Sequence, residues 1–180
     1  MASTCRGSHT SRQKRRDVCA TREFCPQDLG GTGRWAVYNH DSRQVSIVDA
    51  ASPIALRRGA KHEYFVLAPL FENEVAVLGD VEKFVPMADQ RIPSVEASPK
   101  GVRVEVVSGQ AHSPVVVGYS PRRPSKAEAG EKELNRVSSR KRLRISKEGW
   151  FWDGETKLWY VKTDFGDATE MATRSFSIYP

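Results

Sequence analysis

The sequence predicts an all-β protein, an antiparallel β-sandwich behind a flexible basic N-terminal leader. Three observations predict it. Short runs of four to eight residues alternate apolar with polar side chains, as half-buried strands do. Glycine, proline, Asp and Ser clusters punctuate them at close intervals, and no stretch carries the 3.6-residue apolar stripe of a long helix.

Taken in order, "GGTGRWAVYNH" breaks at glycines and then sets Trp35 and Val37 opposite Ala36 and Tyr38. "DSRQ" turns the chain and "VSIVD" returns, with Val45 and Ile47 on one face and Val48 on the other, so a hairpin is expected. "KHEYFVLAPLF" is apolar on both faces and reads as an interior strand. "EVAVLG" is a short strand stopped by Gly79. "GVRVEVVS" alternates most cleanly, with Val102, Val104 and Val106 against Arg103 and Glu105, which predicts one dry and one wet face. In "PVVVGYS", Gly118 signals a bulge or a close backbone approach.

Residues 121–139, rich in Pro, Ser, Lys and Glu, read as an exposed loop. "RKRLRISKEG" reads as a strand with Leu143 and Ile145 inward. "GWFWDGETKLWYVK" then reads as a hairpin turning at Asp153-Gly154, with Trp150 and Trp152 on one face. The final "TRSFSIYP" alternates Phe176 with Ile178 as an edge strand. Two regions follow: residues 1–33 as a basic leader and residues 34–180 as the sandwich.

Of 180 residues, 39% are apolar and 28% charged, which fits a folded body with solvated segments. No apolar run reaches the roughly 20 residues of a membrane-spanning helix, so no membrane partner is expected. The net charge of +6 is uneven: residues 1–34 carry +4 and residues 121–147 carry +7, leaving the strand-forming remainder at −5. The runs "QKRR" and "SSRKRLR" would attract polyanions, yet no aromatic side chain interleaves them as base stacking requires, and nucleic acid is not the expected partner. The N-terminus lacks a signal-peptide core. Its Ser, Thr and Arg content resembles a transit segment, so cytoplasm is expected and a plastid is the alternative.

Cys5, Cys19 and Cys25 are odd in number and lie in the first 25 residues, which favours free thiols. Cys19 and Cys25 are six apart, unlike a zinc knuckle, and His9, His40, His62 and His112 are scattered, so neither metal nor other cofactor is expected. Cys5 and His9 sit in a Ser-rich leader that cannot hold a nucleophile and base in geometry. Asp153, Glu155 and Asp164 read as turn and strand-end carboxylates, and no catalytic residue is assigned. Trp150, Trp152 and Trp159 are the candidate sugar-stacking residues; their strands are apolar on both sides, which favours a packed hairpin over a ligand platform.

Four stretches, in order, resemble the C-terminal part of the raffinose synthase, seed imbibition protein and alkaline α-galactosidase group of glycoside hydrolase family 36. They are "GRWAVYNHDSRQVSIVD", "KHEYFVLAPL", "VAVLGDVEKFVPMADQ" and "VRVEVVSGQAHSPVVVGYSPRRPSK", the last with Tyr119, Ser120, Arg122 and Pro124 at matching positions. The leader "TCRGSHTSRQKRR…CPQDL" is loosely similar to the end of the family's catalytic barrel, with Ser-His-Thr where the family has Ala-Gly-Trp. The third stretch also departs, with Gly-Asp in place of Gly-Leu. The resemblance implies an accessory sandwich that packs on a catalytic barrel, with galactosides as the enzyme's substrates. Family members retain configuration with two aspartates on that barrel, which retention places about 5 Å apart. A barrel takes ~250 residues, so the resemblance implies a chain inactive alone. A stand-alone carbohydrate-binding module and a basic nucleic-acid-binding protein are the alternatives.

Overall fold

The computed structural model describes residues 23–56, 62–109, 113–166 and 170–180. Its strands, in chain order, are β1 (Glu23–Phe24), β2 (Arg34–Asn39), β3 (Gln44–Asp49), β4 (Ile54–Ala55), β5 (Phe65–Pro69), β6 (Ala76–Gly79) and β7 (Ser94–Ser98). They continue with β8 (Gly101–Ser108), β9 (Val115–Tyr119), β10 (Lys126–Ala129), β11 (Lys132–Glu133), β12 (Gly149–Trp152), β13 (Leu158–Lys162) and β14 (Ala172–Tyr179). Among the described residues a short 3-10 helix, Pro26–Leu29, and an α-helix, α1 (Arg140–Ile145), interrupt them.

These strands form a five-stranded sheet ordered β11-β10-β14-β8-β7, a four-stranded sheet β12-β13-β9-β6, a three-stranded sheet β3-β2-β5 and a small β1-β4 ribbon, with antiparallel ladders throughout. The main core lies between the first two sheets. Val102, Val104 and Val106 of β8 and Phe176 and Ile178 of β14 meet Trp150, Trp159, Val161 and Val116 there. The four-stranded sheet is dry on its other face as well, where Leu158 and Tyr160 of β13 and Val117 of β9 pack against Ala36, Tyr38, Val66 and Ala68 of the three-stranded sheet. Alternation along β13 therefore feeds two cores, which is why "LWYVK" is apolar at every position but the last.

Gly118 is a close approach. A Cβ there would sit 2.1 Å from the Trp159 ring and 2.4 Å from the Ala76 carbonyl. The accompanying register shift falls on the facing strand, between Val77 and Gly79 of β6, and Gly79 supplies the left-handed φ of 85° that ends it.

Several expectations are corrected. Residues 121–139 are not an exposed loop: they hold the β10–β11 hairpin, whose Ala127 pairs with Ile178 and is fully buried, with Leu134 beside it in the core. "RKRLRI" is a helix. Ser139 caps it by accepting from the Arg142 N–H at 3.2 Å, and two helical steps of about 100° set Leu143 inward and leave Ile145 exposed. "TRSFSIYP" is interior, hydrogen-bonded to β10 on one side and β8 on the other. β5 is the edge of its sheet; on its outer face Phe65 is half-buried and meets Phe24 of the β1-β4 ribbon edge-on at 5.9 Å. Residues 23–33, expected in the leader, are tied to the body through Gln27 N–H to Ala50 and Ala50 N–H to Gly33. The remaining leader, residues 1–22, lies outside the described residues.

Candidate functional site

The three candidate tryptophans share one face of the β12–β13 hairpin, where Trp150 stands opposite Val161 and Trp152 opposite Trp159. Trp159 has no exposed surface. Its indole N–H donates to the Tyr119 carbonyl at 3.2 Å, and its ring meets Phe176 edge-on at 6.2 Å. Trp150 is 3% exposed. Neither ring offers a face to a sugar, because the five-stranded sheet covers both. Trp152, nearer the turn, is half-buried; its N–H donates to the Ser120 carbonyl at 3.4 Å and the Lys157 ammonium lies 5.2 Å from its ring centre. Trp35, half-buried on β2, donates to the Thr32 carbonyl at 2.9 Å.

A second cluster joins the 80–91 loop to α1. Glu82 accepts from Arg140 and, at 3.3 Å, from Arg144, while the Arg140 guanidinium lies 5.2 Å from the Tyr160 ring centre. Lys162 donates to the Arg144 and Ser146 carbonyls at 3.0 and 2.6 Å and so closes the end of α1. Part of the basic run "SSRKRLR" is thereby committed to internal partners. Burial raises the phenols of Tyr38 and Tyr160 above their ordinary value, and Arg140 partly opposes it. The acidic partner of this cluster was hidden from sequence reading, since Glu82 and Arg140 are 58 positions apart.

On the surface, Phe84 is 88% exposed and stacks on Tyr64 with ring centres 5.8 Å apart; Tyr64 donates its hydroxyl to the Phe84 carbonyl at 2.5 Å. The His40 ring meets the same Tyr64 at a tilt of 57°, with ring centres 5.6 Å apart. The Cys25 thiol donates to the Ala51 carbonyl at 3.5 Å, and partial burial with the nearby Asp28 and Glu23 carboxylates raises its pKa, which disfavours a thiolate. His9, His112, Cys5, Cys19 and "QKRR" lie outside the described residues. Among the described residues, no group of three or more His, Cys, Asp or Glu is placed to hold a metal ion, and no helix is long and apolar enough to cross a membrane.

Open clefts are lined by the described residues. One of about 360 Å³ lies over β2 and β3 and includes Val37, Asn39, Ser46, Ile54 and Phe65. A second, about 350 Å³, is lined by Lys132, Glu148, Asp164 and Arg174; Lys132 pairs with Glu148, and Asp164 accepts from the Gly166 N–H at 2.7 Å. The third, about 380 Å³, is bounded by Ser125, Glu133, Asn135, Arg136 and Trp150. The carboxylates of the second cleft are engaged in an ion pair and a turn.

No protein-family model matches this chain, and no curated protein matches it in sequence. Solved structures do share its fold. A GH31 dextranase from Flavobacterium johnsoniae in complex with isomaltotriose aligns with a TM-score of 0.53 at 12% identity, over 91% of this chain and 25% of that one. The same dextranase with glucose gives a TM-score of 0.54, again at 12% identity over 91% and 25% of the two chains. The chain thus spans a quarter of the length of that enzyme. At this identity the likeness is one of fold, and the fold is that of a segment of a larger glycoside hydrolase chain.

Proposed function

We propose that this chain is the accessory C-terminal β-sandwich of a galactosyl-handling hydrolase or transferase of the raffinose synthase, seed imbibition protein and alkaline α-galactosidase group. In this reading residues 34–180 seat and stabilise a catalytic barrel that supplies both carboxylates, residues 1–33 derive from the barrel's end, and the enzyme works in the cytoplasm. The observation that carries it is that 91% of the chain superposes on one quarter of a glycosidase. The order of the four family-like stretches supports the galactosyl assignment, since they fall successively on β2–β3, β5, β6 with its loop, and β8–β9. Burial of Trp150 and Trp159 supports a packing role over a sugar platform.

The test compares the 180-residue chain with the longer product of its in-frame upstream coding sequence, using raffinose and p-nitrophenyl α-galactoside. Turnover is expected from the longer product alone, and galactosides should leave the tryptophan fluorescence of the short chain unchanged. Turnover by the short chain, or upstream sequence encoding no barrel, overturns the reading.

A further inference from the structure

The segment Arg122-Arg123-Pro124-Ser125 joins β9 to β10 outside any strand, with Arg122, Arg123 and Ser125 exposed and Pro124 buried between them. Proline fixes its own φ near −65° and pushes the residue before it out of the helical region, so the sequence itself favours an extended backbone here. The buried Pro124 anchors that backbone. Ser120 helps from upstream, donating its hydroxyl to the Arg122 carbonyl at 2.7 Å. Two guanidinium groups are thus presented two and three residues before a solvent-facing hydroxyl.

We propose that Ser125 is a phosphorylation site for a basophilic Ser/Thr protein kinase, one whose peptide groove holds acidic pockets for two arginines. Arginine suits such pockets because its planar fork pairs bidentately with carboxylates. In the transfer, Ser125 Oγ attacks the γ-phosphorus of ATP; the Oγ–P bond forms, the bond from that phosphorus to the bridging β-phosphate oxygen breaks, and ADP leaves. The hydroxyl proton passes to a carboxylate of the kinase.

The fold tolerates the product. Ser125 holds the Tyr179 carbonyl twice, through its N–H at 2.7 Å and its hydroxyl at 3.2 Å, and only the second bond is lost. The phosphate brings about −2 charge at neutral pH to a site flanked by Arg122, Arg123 and Lys126. It also stands at the rim of the cleft that contains Arg136 and Asn135, so modification turns a basic corner of the molecule nearly neutral and fills the mouth of that cleft. The inference is independent of the galactosyl reading.

The folded chain is incubated with ATP and the catalytic subunit of a cyclic-AMP-dependent protein kinase, then analysed by intact mass and peptide mapping. One phosphoryl group on Ser125 is expected. Ser125→Ala should abolish it, and the Arg122→Gln, Arg123→Gln pair should slow it at least ~10-fold, as loss of charge-assisted hydrogen bonds dictates. Tryptophan emission matching the parent shows that each variant is folded. Phosphate on other serines alone, modification of a 119–129 peptide but not of the folded chain, or an unchanged rate in the arginine variant overturns the proposal.

Discussion

Replacing Gly118 by Ala adds a single methyl group at the most crowded backbone position of the main core. Gly118 is buried on β9 between Trp159 of β13 and Val77 of β6. The new Cβ would stand 2.1 Å from Trp159 Cζ2 and 2.4 Å from both Trp159 Cε2 and the Ala76 carbonyl oxygen, more than an ångström inside ordinary carbon contact. The carbonyl is part of the sheet and cannot retreat. The ring is held by its hydrogen bond to Tyr119 and by Phe176 at its edge. Relief therefore requires a shift of β6 or a tilt of the indole, and the cost should reach the top of the ~1–3 kcal/mol range for overpacking. For a chain of this size, 3 kcal/mol lowers the Tm by about 6–12 °C. Urea unfolding followed by tryptophan fluorescence measures it. Trp159→Phe, destabilising by itself through the cavity it leaves, should partly relieve Gly118→Ala, so the double-mutant cycle should show favourable coupling above ~0.5 kcal/mol. A Gly118→Ala loss below ~0.5 kcal/mol, or simple additivity with Trp159→Phe, would refute the packing described for this hairpin.

Other consequences are testable by the same methods. Leu143→Ala should cost about 2–5 kcal/mol while Ile145→Ala stays within ~0.5 kcal/mol; equal losses in urea titrations would favour a strand at 140–145 over α1. Glu82→Gln should destabilise by less than about 1 kcal/mol, and the difference should vanish in 1 M salt, where the Debye length is about 3 Å; a salt-independent loss would contradict an exposed pair with Arg140 and Arg144. Burial holds the Tyr38 and Tyr160 phenols protonated above the ordinary value of 10.0. Their contribution is complete below the unfolded value and is lost as pH rises through the higher folded values, so stability should fall above about pH 10, and titration at 295 nm should show late-ionising tyrosines.

The elements readable in the sequence are those whose partners are large and whose alternation is strict. Val102, Val104 and Val106 specify β8 unaided, and the β2–β3 and β12–β13 hairpins carry both their apolar faces and their turns. β10 was illegible for a physical reason. Ala127 and Ala129 are small because Ile178 and Phe176 of the paired strand already fill that part of the core, and the local composition records only alanines among charges. In "RKRLRIS" two apolar residues fit a period of two as well as a helix with one of them exposed; Ser139 at the N-cap was the discriminating signal. Faces and edges are different quantities. Alternation reports which faces are covered, but β14 turned out interior and β5 an edge because hydrogen-bonding neighbours depend on topology.

The same geometry limits where a ligand could act. The four-stranded sheet packs on both faces, against the five-stranded sheet on one and against β2, β5 and α1 on the other. Trp150 and Trp159 are consumed by packing against the five-stranded sheet, while Trp152 near the turn stays half-buried. Recognition by the described residues must then use the outer surfaces: the cleft over β2 and β3, the Phe84–Tyr64 stack, and the basic corner around Arg122, Arg123 and Ser125. None of these needs the interior to open.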